Sequence, residues 1–164
     1  MAIGHRRIHI AELGHAHVGQ TVRLQARVHT TRATGAKKCF LLLRQRQHTL
    51  QALLAQDEQH VSKQMVKFAT LVTLDSIVEV EGHVVAPPER IQSATVHDAE
   101  LNITQFFVVS AAAPLPFKLD DALKPPPTDD EPAQTEGKTE HEIHVSLPVR
   151  LDNRVVDLRV CPLA

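Results

Sequence analysis

Residues 21–30 read TVRLQARVHT. Val22, Leu24, Ala26 and Val28 alternate with Arg23, Gln25, Arg27 and His29, the period of two that marks a strand with one face in a core and the other in water. The outer face of this strand is basic. The next residues, TRATGAKK (31–38), hold a glycine and three cations and read as a turn. CFLLLR (39–44) and TLQALL (49–54) then read as two further short strands. Leu41 and Leu43 share one face, as do Leu50, Ala52 and Leu54, while Phe40, Leu42, Arg44 and Gln51 fall on the other.

The period changes in VSKQMVKFATLV (61–72), where Val61, Met65 and Phe68 stand at i, i+4 and i+7 behind Ser62, a natural N-cap. This predicts one helix. Alternation returns in DSIVEVEGHVV (75–85) and in AELNITQFFVV (99–109), where Leu101 and Ile103 oppose Glu100, Asn102 and Thr104. Three strands, a helix and two strands predict an all-β fold with one helix, the five-stranded oligonucleotide/oligosaccharide-binding (OB) barrel with its helix between strands 3 and 4. A small sandwich with an inserted helix has the same element order.

Composition bounds what such a fold can do. At 164 residues the chain has room for one domain and its tails, and none for a synthetase, kinase or other multidomain enzyme. Aromatic residues make up 3% and all five are Phe, so any stacking ring has to be a Phe. The net charge of −1 argues against a whole-molecule polycation, but it conceals a division. Up to Val72 there are 11 Lys/Arg and 3 Asp/Glu, a net +8; from Thr73 onward there are 7 and 16, a net −9. A basic half followed by an acidic one points to a polyanion-facing surface and an acidic tail. Cys39 and Cys161 form no CxxC pair, which disfavours a disulfide scaffold or thiolate zinc site and suits a reducing compartment. MAIGHRRIHI lacks the apolar run of a signal peptide and no stretch approaches about 18 apolar residues, so a cytoplasmic location without membrane insertion is expected.

After Ser110, AAAPLPFKLDDALKPPPTDDEPAQTEGKTEHE holds six of the ten prolines and a cluster of acids, a composition that cannot bury a core. The expected division is an N-terminal lead (1–17), the barrel (18–112), a Pro-rich acidic, extended linker (113–148) and a short charged end segment (149–164).

ARVHTTR, CFLLLRQRQ, LQALL, SKQMVKFA, SIVEVEG, AELNI and above all RLDNRVVDLR (150–159), in this order, closely resemble the eukaryotic cytosolic aspartyl-tRNA synthetases. The resemblance runs from about Val18 to Arg159, interrupted by the Pro-rich acidic stretch. It implies that residues 18–112 are an N-terminal anticodon-binding OB domain and that LDNR lies in the hinge towards a catalytic domain. It also implies roles for four residues. Arg32 meets the anticodon loop, Phe40 stacks on an anticodon base, Gln51 reads the central uridine and Glu100 lies near the last anticodon base. Arg27, Lys37, Lys38 and Arg44, with Arg23 and Arg46, form a basic surface suited to phosphates, which position a nucleic acid without specifying its sequence.

These residue types suit the chemistry. Single-stranded RNA loops are read by splaying bases onto rings and bonding their edges, and a Gln amide carries the donor and acceptor that a uracil edge requires. The implied partner is the aspartate tRNA with its GUC anticodon, and the parent enzyme is implied to be a homodimer. His15 and His17 share a face but have no carboxylate or thiolate beside them, and Cys39 has no His and carboxylate around it, so neither a metal nor a catalytic residue is expected.

Two departures from the family stand out. The basic helical extension common at the N-terminus is reduced to a short His/Arg lead, and VCPLA after LDNRVVDLR does not continue into a catalytic domain. No class II motif fits, so ATP and Mg²⁺ are expected to belong to the parent enzyme's catalytic domain and no cofactor to this chain, which alone should not aminoacylate. Two other readings of the residues remain: a protein-interaction or dimerisation module, and a freestanding single-strand binder without base preference. The asparaginyl and lysyl relatives share the barrel and the central uridine; LDNRVVDLR is what favours aspartate.

Overall fold

The alternating stretches pair edge to edge until the sheet closes on itself. A computed structural model of the chain describes residues 7–57, 59–123 and 145–159. Its first unit, Met1–Ala113, carries β1 (Thr21–Thr34), β2 (Lys38–Gln45), β3 (His48–Ala55), α1 (Lys63–Leu71), β4 (Ile77–Val85) and β5 (Glu100–Ser110). The strands close as β1-β2-β3-β5-β4; β3 and β5 run parallel, and the other four neighbouring pairs are antiparallel. The barrel closes through a short contact, Ala52 of β3 opposite Leu101 of β5 and Leu53 opposite Asn102. This is the expected five-stranded OB barrel with its helix between β3 and β4.

The interior takes the inward residue of each alternation: Leu24, Val28, Leu41, Leu43, Leu50 and Leu101 are among the fully buried side chains. Each contributes about 1.5–3 kcal/mol relative to an exposed position. Cys39 is buried among them, as small packing material, and burial pushes its thiol pKa up, away from nucleophilic chemistry.

Three features depart from the sequence pattern. The first lies in β1, which continues to Thr34 instead of ending near Thr30, so the turn shrinks to the residues around Gly35, whose φ is 70°. Val28 pairs with Leu43 but Thr30 pairs with Leu42, leaving His29 as the extra residue of a β-bulge. Before the bulge the odd-numbered residues Arg23, Gln25 and Arg27 point outward; after it, the even-numbered Thr30 and Arg32 do. A second irregularity, in β5, has Glu81 opposite Gln105 but Gly82 opposite Ile103, so the inward set changes from Leu101 and Ile103 to Phe106. Gly82 permits the close approach there, since a Cβ would lie 2.2 Å from the Asn102 carbonyl oxygen.

The third departure is in α1. Ser62 caps it, accepting from the Met65 amide at 3.1 Å, but the face it buries is Val66 and Ala69. Val61 is buried just ahead of the helix, Met65 is partly buried, and Phe68 is half exposed, meeting Phe106 edge to face at 6.2 Å between centroids. The i, i+4, i+7 pattern therefore finds the helix but misses its inward face by one position.

The stretch ahead of β1 belongs to the barrel's packing. Ile8, Ile10 and Leu13, within the expected lead, are buried in the same core. The Ile8 amide donates to the Arg23 carbonyl at 3.0 Å. The Gln45 side chain accepts from the Ile10 amide at 2.9 Å and donates to the Gln25 carbonyl at 3.1 Å.

The second unit, Pro114–Ala164, is described at 114–123 and 145–159. It holds three short helices, α2 (Leu119–Leu123), α3 (Leu147–Asp152) and α4 (Arg154–Asp157), so the segment expected to be wholly extended is helical at 119–123; residues 124–144 of the expected linker lie outside the described residues. Ala122 and Val145 form a small apolar cluster with Phe117 and Leu119. In LDNRVVD, Asp157 is 4% exposed and accepts from Arg150 Nε and from Arg154, both at 2.6 Å. Bonds from the two guanidiniums, Arg150 first, hold its carboxyl below the usual range. No helix among the described residues is long and apolar enough to cross a membrane.

Candidate nucleic-acid interface

The register lays the outer face out in rows. Arg32 of β1 stands opposite Phe40 of β2, which stands opposite Leu53 of β3; one row further, Thr30 faces Leu42, and Leu42 faces Gln51. Thr30, Arg32, Phe40, Leu42, Gln51 and Ser93 line a groove of about 450 Å³. Ser93 comes from the β4–β5 loop, which docks on β3 through Thr49 and Thr95. Each of these two threonines accepts the other's backbone N–H through its hydroxyl, at 2.7 and 2.8 Å, and the Val96 amide donates to the Thr49 carbonyl at 3.1 Å. The loop is thus clamped two residues before Gln51.

Three of the four residues singled out from the sequence open into this groove. The Phe40 ring is half buried on the outer face and the Arg32 guanidinium carbon lies 5.8 Å from its centroid, a cation–π arrangement that holds the ring as a flat platform with a positive charge beside it. Arg32 is a strand residue here and not a turn residue, and the bulge at His29 is what puts it on the same face as Phe40. Gln51 is partly exposed in the groove floor. Glu100 differs: it is only 8% exposed, and its carboxylate accepts from Gln51 Nε2 at 2.8 Å. It is a buried partner of the groove, not part of its open surface.

The basic surface divides in two. Arg23 and Arg7 both donate to Glu79, the latter at 2.8 Å, and Arg27 lies 4.0 Å from Asp75. The Arg23 bond holds the Glu79 carboxyl below its usual range and raises the guanidinium's own pKa. Arg23 is therefore paired within the barrel wall, and so is Arg27 in part. Arg32, Lys37, Lys38 and Arg44 have no carboxylate within ion-pair reach among the described residues. Lys37 and Lys38 are exposed at the β1–β2 turn, and Arg46 is exposed in the tight β2–β3 turn with φ 56°. Sequence reading did not single out Thr30, Ser93 or the Thr49–Thr95 clamp; small hydroxyl residues in loops carry no pattern that distinguishes a docked loop from a solvated one. No three His, Cys, Asp or Glu side chains come together as a metal site among the described residues.

A closed five-stranded barrel with a half-buried ring, an arginine and a side-chain amide opening into one groove on its outer face is the architecture of an OB-fold domain. The OB-fold nucleic acid binding domain family of the tRNA anti-codon type matches residues 22–109, and the chain belongs to that family. Its relatives are particular. The cytoplasmic aspartate–tRNA ligase of Bos taurus is 46% identical over 153 residues, covering 93% of this chain and 28% of the ligase. That of Homo sapiens is 48% identical over 141 residues, covering 85% and 26%. Among solved structures, the aspartyl tRNA synthetase of Entamoeba histolytica superimposes with a TM-score of 0.72 at 34% identity, covering 97% of this chain and 33% of that one. The chain thus spans about a quarter of the length of these curated relatives, in their N-terminal, anticodon-binding region.

Proposed function

We propose that the groove binds the anticodon loop of the aspartate tRNA, with its GUC triplet, and that it does so in support of tRNA aspartylation in the cytoplasm. The observation that carries this reading is the adjacency of the Arg32–Phe40 platform and the Gln51 amide in one groove. A base splayed from a loop stacks on the ring, which contributes about 1–3 kcal/mol whatever the base. The Gln51 amide then meets the neighbouring base edge. Lys37, Lys38 and Arg44 supply phosphate contacts, which steer and position the loop. On this proposal the ATP- and Mg²⁺-dependent ligation belongs to the part of the relatives that these 164 residues do not span, and the homodimer to the same assembled enzyme.

Titration of the chain with anticodon stem-loops carrying GUC, GUU and a scrambled triplet tests the proposal. Preference for GUC is the expected result. Equal affinity for all three overturns it in favour of a binder without base preference. Absence of binding, together with a mass that rises with concentration in light scattering, overturns it in favour of an interaction module.

A further inference from the structure

We propose that Glu100 is a positioning residue that fixes which way round the Gln51 amide faces, and that this fixed orientation is what separates uridine from cytidine at the centre of the loop. The inference rests on the reading of the groove as an anticodon site.

A primary amide presents one acceptor and one NH₂ group side by side, and turning it over exchanges them at little cost. The distinction matters because the two pyrimidines present opposite patterns. At positions 4 and 3 uracil offers an acceptor and then a donor, whereas cytosine offers a donor and then an acceptor. A base held in one pose by stacking therefore matches one orientation of the amide if it is uracil and the reverse orientation if it is cytosine. A Gln free to turn serves both and reads neither.

Gln51 is not free to turn. Its Nε2 donates to Glu100 Oε1 at 2.8 Å, and Glu100 is 8% exposed at the start of β5, beside the loop that Thr95 clamps to Thr49. A carboxylate accepts hydrogen bonds and donates none, so it tolerates the NH₂ end of the amide and rejects the oxygen end. Turning Gln51 over would set its oxygen against a poorly solvated carboxylate and leave that carboxylate without its donor, a costly arrangement in a buried place. One N–H and the whole carbonyl oxygen of Gln51 remain for the base, in a fixed order. Glu100 thus acts on the base through Gln51, without needing to touch it.

The test replaces the carboxylate by a group that permits both orientations. Glu100→Gln keeps the size and can donate or accept, so Gln51 becomes free to turn. Binding of two stem-loops that differ only in a central uridine or cytidine is measured for the parent, for Glu100→Gln and for Glu100→Asp. The parent is expected to prefer uridine by about tenfold or more, the effect of one mismatched donor–acceptor pair. Glu100→Gln should tighten the cytidine loop relative to the uridine loop, whatever it does to the affinity of both, so that the ratio approaches one. Glu100→Asp keeps the charge but withdraws it by one methylene, and it should also lose most of the ratio.

Several outcomes overturn the proposal. A Glu100→Gln protein that loses affinity for both loops by the same factor, ratio intact, shows a direct contact elsewhere on the loop. A ratio preserved in Glu100→Asp shows that charge and not the bond matters. A lowered melting temperature with the ratio unchanged shows a purely structural role. A parent that does not distinguish uridine from cytidine removes the anticodon reading itself, a different failure, visible before any variant is made.

Discussion

The two halves of β1 carry arginines to the outside of the same barrel and use them in opposite ways. Before the bulge, Arg23 meets Glu79 together with Arg7, and Arg27 approaches Asp75. After the bulge, Arg32 has no carboxylate partner among the described residues and lies over the Phe40 ring. The first region is a wall whose charges are already matched; the second is a surface with its charge still available. A count of +8 over the first 72 residues treats them alike. What distinguishes a nucleic-acid face is the absence of internal partners for its cations, because a matched arginine has no unneutralised charge with which to release a phosphate's counterion.

The sharpest break of this comparison is at two consecutive residues of β2. Leu41 is 1% exposed, and Leu41→Ala should cost about 2–5 kcal/mol in thermal or urea unfolding. Phe40→Ala should leave unfolding nearly unchanged and weaken stem-loop binding by about 1–3 kcal/mol, by a similar factor for every loop. A melting temperature that falls sharply in Phe40→Ala would show the ring to be core and undo the assignment of the outer face.

Cations come next. Removing Lys37 and Lys38 should flatten the dependence of log affinity on log salt by up to about 0.7 for each phosphate no longer neutralised, as for a single strand. Arg23→Ala should leave that slope unaltered; an equal drop in both variants would erase the distinction between matched and unmatched regions. The converse experiment unmasks charge. Glu79→Gln releases Arg7 and Arg23, and RNA binding without base preference should rise by about twofold, with a steeper salt slope.

The smallest effect is in pH. Glu79 has its carboxyl pKa held down in the folded protein by Arg23, so its contribution is present above the unfolded value and is lost as pH falls through the lowered folded value. Acid unfolding of Glu79→Gln should show a shallower loss of stability below the usual carboxylate range than the parent does, and an identical acid limb would mean that the pair contributes nothing.

Much of this was legible in the chain before folding. A period of two in five stretches and a helix behind Ser62 define the barrel, because inward residues have to be apolar and the periodicity of each element is fixed by its backbone. Phe40 and Gln51 stand out as residues on the face opposite a leucine row. What could not be read has a common cause. A bulge adds one residue without a signature of its own, so the continuation of β1 through Arg32 to Thr34 and the change of face after Ile103 are invisible to alternation. Arg23 and Glu79 are 56 positions apart, and their pairing exists only once β1 lies beside β4. The same is true of Glu100, which alternation puts on an outer face but the closed barrel buries beside Gln51. Ile8, Ile10 and Leu13 alternate with nothing regular, and only the packed core shows that they belong to it.

The single extra residue at His29 makes β1 behave like a wave with a half-cycle inserted. Everything upstream of it is in phase with the barrel wall, and everything downstream is in phase with the groove. Deleting His29 would leave Thr30 opposite Leu42, Thr31 opposite Leu41 and Arg32 opposite Phe40, an unbroken strand with Arg32 still outside; straightening the bulge with His29 retained would instead carry Arg32 into the interior and turn Thr31 and Ala33 outward. Grafting this face onto another barrel therefore requires copying a count as well as a set of side chains.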